Sequence, residues 1–204
     1  MIELLVSMVI FVIFMGIVAT SFTDIVRAQK EANEIRKMYS EVRNFADTLS
    51  EEARLGSIDY DCYAGAPAFA NTCPEQLAAI VDGRSTDLAL VRKDGLQKTI
   101  FRYDPEFKKV QIVKYDKAEG GAWKFTPGYG GFRDAMGDSV SVEKLSFAVN
   151  PDVNPYSQEN VYASEKQFQP KVTLFMSVKN GANVKSAFNL DFQTTVSSRV
   201  YSRL

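Results

Sequence analysis

Glu3 is the first side chain in this sequence that raises a chemical question. It is the only charged side chain in residues 1–22, MIELLVSMVIFVIFMGIVATSF, and the next charge is Asp24. From Leu4 to Ala19 only Ser7 and Gly16 interrupt the apolar run. An acid in hydrocarbon is expensive. Asp at mid-bilayer costs on the order of 2.5–3.5 kcal/mol on insertion scales, and less near an end. Pairing with an opposite charge removes most of that penalty. A helix N-terminus also favours an anion. Glu3 is therefore the leading functional candidate.

The other chemistry is sparse. The chain has no histidine, which excludes Ser-His and Cys-His nucleophile activation and any His-ligated metal. Its 25 acids are scattered, and no pair has the spacing of a known motif. The residues point to no enzyme and imply no cofactor. Cys62 and Cys73 are the only cysteines, and the short segment between them is rich in Ala, Gly, Pro and Asn. Closing such a loop with a disulfide contributes about 3 kcal/mol on chain-entropy estimates. The spacing is wrong for a Cys-x-x-Cys redox or zinc motif. A disulfide there suggests an oxidising compartment, with two free thiols as the alternative. Lys108, Lys109, Lys114, Lys117 and Lys124 cluster near Tyr115 and Trp123. Alternation along strands sends some of them to opposite faces, and the net charge is −1, so no nucleic-acid partner is implied. The glycine-rich PGYGG at 127–131 lacks the Lys-Ser/Thr ending of a phosphate loop.

The elements that position these residues begin with a long helix. Roughly 20 helical residues span about 30 Å, the thickness of a bilayer core. Residues 1–22 are apolar all round, so they need lipid or other protein on every side. Then the pattern becomes amphipathic. Ile25, Ala28, Ala32, Ile35, Tyr39, Val42, Ala46, Leu49 and Ala53 step alternately by three and four, an unbroken heptad seam. Charges, Glu52 among them, are placed on the other faces. No Pro or Gly occurs between Thr20 and Leu55, and Gly56 reads as a C′ residue. The spacing predicts one helix from Ile2 to Leu55, roughly 80 Å long. Its second half is expected to pack on the chain's own sheet, with a dimeric coiled coil as the alternative.

Residues 57–85 read as a loop with at most one short helix near 74–81. From Thr86 the period becomes two. Strands are expected at 87–93, 97–103, 108–115, 122–126, 140–150, 171–179 and 187–196. Asp94-Gly95 and Asp104-Pro105 turn the first hairpins, and Asn180-Gly181 the last. Residues 150–169 form a long polar loop. The fold class is α+β, a long N-terminal helix on an antiparallel sheet. Its parts are an apolar helix (1–22), an amphipathic continuation (23–56) and a globular sheet domain (57–204).

The N-terminus, MIELLVSMVIFVIFMGIVA, resembles the Phe-Thr-Leu-Ile-Glu-Leu-Leu-Val start of type IV pilins and pseudopilins. Ile2, Glu3, Leu4, Leu5 and Val6 match directly, and Met1 takes a leucine position. A cleaved signal peptide would begin basic, be shorter and end in a small-x-small site, none of which fits. A plain signal anchor remains the competing reading of this segment. More loosely, residues 169–174 (QPKVTL) and 193–199 (QTTVSSR) look like the final strands of minor pilin-like proteins.

This resemblance implies a type IV pilin-like fold and a structural subunit of a pilus-like filament or type II secretion pseudopilus. The matching Glu in the family recruits the free N-terminal amine of a neighbouring subunit, a role carried here by Glu3. Ile2, Leu4, Leu5, Val6 and Phe11 would form the filament or membrane helix, and Gly16 its one flexible point. The implied partners are membrane lipid, other pilin-like subunits, the assembly machinery and a leader peptidase. The chain would sit in the bacterial cytoplasmic membrane before assembly, then in a surface pilus or periplasmic pseudopilus. The proline found further along many major pilin helices is absent, which favours a minor subunit or pseudopilin. The family's basic leader, ending in Gly and followed by Phe, does not precede Met1. Arg27 and Lys30 follow the apolar segment, which by itself places the domain in the cytoplasm. A basic leader upstream of Met1 would reverse that topology and reconcile both signals. Some pseudopilins bind calcium in loops, and Asp134, Asp138 and Asp152 would be the acids for it, without EF-hand spacing. The alternative function is a membrane-anchored extracytoplasmic binding or adhesin domain that never polymerises.

Overall fold

The absence of helix breakers after Gly16 is met by one continuous helix, α1 (Ile2–Leu55), of 54 residues. The computed structural model describes residues 2–63, 73–155, 169–180 and 188–198. The expected loop tip at Asn180-Gly181 and most of the polar loop 150–169 lie outside the described residues. After α1 come β1 (Gly56–Ile58), a single 3-10 turn (Tyr60–Cys62), β2 (Arg84–Ser85), β3 (Asp87–Arg92), β4 (Gln97–Asp104) and β5 (Lys109–Lys117). β6 (Trp123–Phe125), β7 (Arg133–Asp134), β8 (Val140–Asn150), β9 (Lys171–Asn180) and β10 (Asn189–Ser197) complete the chain. The fold is α+β, a long helix packed on antiparallel sheets.

Among the described residues there are two sheets where one was expected. The first runs β1-β3-β4-β5-β6, with β7 also pairing β5; the second runs β10-β9-β8-β2. The meander β3–β4–β5 is held by its turns. Asp94 Oδ1 accepts from the Leu96 N–H at 2.9 Å, and Gly95 adopts φ 66°. Asp104 Oδ1 accepts from Glu106 and Phe107 N–H at 3.0 and 3.1 Å. The sheets are joined at a bulge in β8 between Val142 and Lys144. There Tyr103 Oη lies 3.0 Å from the Val142 carbonyl, and the Val142 N–H donates to Lys108 O at 2.8 Å. Glu143, the extra residue, takes the Lys108 ammonium at 3.0 Å.

Among the described residues the buried positions of α1 all lie in its C-terminal part. Met38, Val42, Phe45, Ala46, Leu49, Glu52 and Ala53 are buried. α1 touches β1 and β3 of the first sheet and β9 and β10 of the second. Phe45 meets Phe101 edge-on with ring centroids 5.9 Å apart. The expected seam is therefore partly wrong. Val42, Ala46, Leu49 and Ala53 are in contact, but Tyr39 is 54% exposed, and Ile25, Ala28 and Ala32 are exposed. Two sheets present a wider surface than a partner helix. They accept the stripe on each side of Val42 and Leu49, where a coiled coil takes only the a/d line.

Residues 74–81 form no helix, within the expectation of a loop with at most one. Leu77 donates its N–H to Cys62 O at 3.1 Å, and the Ala78 N–H goes to Asp87 Oδ2 at 3.2 Å. Those donors are committed outside the segment, so no helical ladder forms.

Gly56 ends α1 for a different reason from the one expected. It does not have positive φ; a Cβ there would sit 2.8 Å from Val91 O and 3.2 Å from Glu52 O. Both are backbone atoms, so the strand must move. Gly56→Ala is expected to destabilise the domain by about 1–3 kcal/mol, read as a lower urea midpoint at unchanged slope. A midpoint equal to that of the parent would show that the β1–β3 pairing is looser than described.

Candidate functional site

Among the described residues nothing buries the apolar half of α1. Its large side chains are exposed on every side, from 45% for Val18 to 78% for Ile2, and include Leu4, Leu5, Val6 and Phe11. Single apolar side chains on a surface are ordinary, but a continuous sleeve of this size is not. Two of its hydroxyls bond back to the helix's own carbonyls. Ser7 Oγ donates to Glu3 O at 2.8 Å, and Thr20 Oγ1 reaches Ile17 O at 2.9 Å. That is the arrangement a backbone and its hydroxyls need in hydrocarbon. The helix is long and apolar enough to cross a membrane. Gly16 lies inside the unbroken helix, and a Cβ there would meet nothing within 4 Å. Glu3 stands in the first turn, and among the described residues it makes no ion pair.

A second group of charges locks α1 onto the first sheet. Glu52 is buried in α1 and takes the Lys114 ammonium from β5 on Oε1. Its Oε2 accepts from Thr99 Oγ1 on β4 at 3.0 Å, and Arg92 of β3 approaches Oε1 at 4.0 Å. Three strands thus meet one helical carboxylate. Higher up, Glu41 Oε2 accepts from the Gly137 N–H at 3.0 Å. Periodicity hid Glu52 because charge was assigned to solvent faces. The signal that would have found it is register, since Glu52 continues the heptad line of Met38 and Phe45.

Cys62 and Cys73 are bonded, with Cα atoms 5.1 Å apart. The far limb of this loop is pinned by charge. Arg102 Nη1 meets Glu75 Oε2 at 3.1 Å, and Tyr115 Oη donates to Glu75 Oε1 at 2.6 Å. Burial and the Glu75 carboxylate push the Tyr115 hydroxyl well above its usual range. Beneath Cys62 lies an ion pair that went unnoticed in the sequence, Asp59 with Lys98.

The acids considered for calcium are placed otherwise. Lys109 Nζ lies 2.5 Å from both Asp134 Oδ2 and Asp138 Oδ1. Hydrogen bonds to those two carboxylates raise the Lys109 ammonium above its usual range, and Lys109 holds Asp138 below its own. The cation at that site is thus a lysine. Among the described residues no three acids or cysteines come together as a metal-binding group. The lysine cluster is likewise divided. Lys108 pairs with Glu143, Lys114 with Glu52, and Lys117 stands 5.7 Å over Trp123.

No family model matches this chain, and no curated protein or solved structure matches it either. The functional reading therefore stands on the residues themselves: an uncovered apolar rod, an acid at its tip, and a disulfide-closed domain at its far end.

Proposed function

We propose that this chain is a structural subunit of a type IV pilus-like filament or type II secretion pseudopilus, polymerising through α1. The observation that carries the reading is the extent of uncovered helix. No residue of 2–37, about 54 Å of rod, is buried. A membrane anchor uses only the first 20 or so of these. The remainder still carries the exposed apolar positions Ile25, Ala28 and Ala32, with Ile35 half-buried. Neighbouring rods in a polymer would cover both parts. A non-polymerising anchored domain, the second reading, leaves Ile25, Ala28 and Ala32 exposed to water.

In this role Glu3 meets the N-terminal amine of the adjacent subunit, and two charges that are costly in hydrocarbon neutralise each other. The subunit waits in the membrane as a single-pass protein, with its disulfide-bearing domain outside the cytoplasm. The energy of assembly comes from a motor, and the chain itself performs no catalysis in assembly. The test is immunogold electron microscopy of filaments sheared from cells or grown from the secretion system. Label on filaments supports the proposal, and label confined to membranes contradicts it.

A further inference from the structure

A disulfide that merely closed a surface loop would need nothing from the charges around it. Cys62–Cys73 is built differently. Cys62 is fully buried, while Cys73 is only partly buried. Two ionisable groups stand against the buried sulfur. Asp59 Oδ2 is 3.3 Å from Cys62 Sγ, and Lys98 Nζ is 3.7 Å from it. Asp59 and Lys98 are ion-paired with each other, and their side chains are 7% and 5% exposed. The Trp123 ring covers the ammonium at 4.8 Å. A buried pair of this kind usually stabilises a fold no more than apolar residues of the same volume would. Its position against the buried sulfur is what calls for a chemical role.

The surroundings are consistent with proton transfer. Burial pushes the Asp59 carboxyl above the usual carboxylate range, with Lys98 opposing and Asp61 on the 3-10 turn adding to the rise. The other titratable groups facing the pair are Tyr63 and Tyr115. The Tyr63 hydroxyl is engaged by Ala89 N–H and Asp87 O. Tyr115 is the cross-strand partner of Lys98, and its hydroxyl is held by Glu75. Lys117 stands on the same Trp123 ring. Both tyrosine hydroxyls are pushed far up by burial, so Asp59 is the proton acceptor nearest Cys62.

We propose that Asp59 and Lys98 form an acid–base relay for thiol–disulfide exchange at Cys62, with Cys73 as the sulfur that meets an external disulfide, small or protein-borne. In closure, the Cys73 thiolate attacks the external disulfide R–S–S–R. A Cys73–S–R bond forms and one R–S⁻ leaves. Asp59 takes the proton from the Cys62 thiol, and the Lys98 ammonium stabilises the resulting thiolate. Cys62 then attacks Cys73 Sγ; the Cys62–Cys73 bond forms, the Cys73–S–R bond breaks, and the second R–S⁻ leaves. The two cysteines are oxidised, the external disulfide is reduced to two thiolates, and two protons pass to solvent. Reduction runs the same steps backwards, with Cys62 leaving as the stabilised thiolate.

The test mixes the reduced full-length chain, in detergent, with an aryl disulfide in large excess, so that the first release is over before the second begins, and follows the two releases of aryl thiolate by absorbance. An unassisted thiol loses about tenfold in thiolate per pH unit below its ordinary value of about 8.5. The second release, which reports Cys62, is expected to stay nearly level below that value and to fall only as Asp59 takes a proton. The neutral double variant Asp59→Asn/Lys98→Gln is expected to slow the second release at least tenfold at neutral pH and to leave the first unchanged. A wild-type second release that falls tenfold per unit from the ordinary thiol range overturns the proposal. So does a folded double variant that closes at the wild-type rate. Circular dichroism reports whether the double variant is folded; if it is not, the wild-type profile alone decides.

Discussion

With Glu3 replaced by leucine, the protein is expected to stay in the membrane but to leave the sheared filament fraction at least tenfold depleted. The two halves of that expectation have different causes. Removing an acid from the mouth of an apolar helix makes insertion easier, since an ionised carboxylate in hydrocarbon costs on the order of 2.5–3.5 kcal/mol at mid-bilayer. Assembly moves the other way. If Glu3 neutralises a neighbour's N-terminal amine, leucine leaves that amine unpaired in an apolar polymer core. Removing one partner of a buried pair costs several kcal/mol, and about 1.4 kcal/mol already corresponds to tenfold. Immunoblots of shear supernatants against membranes read both halves at once. Incorporation of Glu3→Leu at the parent level would remove Glu3 from assembly.

The second large effect falls on the domain. Glu52→Leu is expected to destabilise it by about 3 kcal/mol, the low end of what breaking a buried ion pair costs. Lys114 loses its carboxylate, Thr99 its acceptor and Arg92 its nearest anion. Lys114 is 20% exposed and Arg92 39%, so both cations recover some hydration, which keeps the value from rising further. Glu52→Gln retains an acceptor for Thr99 and is expected to lose less, about 1–2 kcal/mol. Urea denaturation of the two variants gives the difference through the midpoint, at constant slope. Equal midpoints for Glu52→Leu and the parent would show that the helix is held by apolar packing alone.

The parts of this structure with a strong local signal were readable in the sequence. The limits of α1 follow from the absence of Pro and Gly between Thr20 and Leu55, and Asp94-Gly95 and Asp104-Pro105 place their turns. What escaped depends on partners distant in sequence. Tyr39 fits a heptad seam as well as Val42 does. It is exposed because the buried stripe at that level runs through Met38 and Val42, and Tyr39 stands to one side of it. Leu77 lies in a segment that could have been helical, and only its N–H bond to Cys62 O shows otherwise. Glu52, Asp59 and Lys98 look like surface charges in isolation, and their burial is decided by strands up to 62 residues away along the chain. The split into two sheets was invisible because an unbroken alternation carries no mark of where pairing stops. β5 and β8 belong to different sheets, although both alternate well.

For the apolar sleeve at the N-terminus the sequence and the structure agree, and the functional account depends on it. The most direct measurement is immunogold electron microscopy of sheared filaments, labelled for the domain of this chain. Gold is expected on filaments, along their length for an abundant subunit or at one end for a rare one, and that label is expected to be lost with Glu3→Leu. Label found only on membrane fragments, with filaments unlabelled, would contradict that expectation and leave α1 as an anchor.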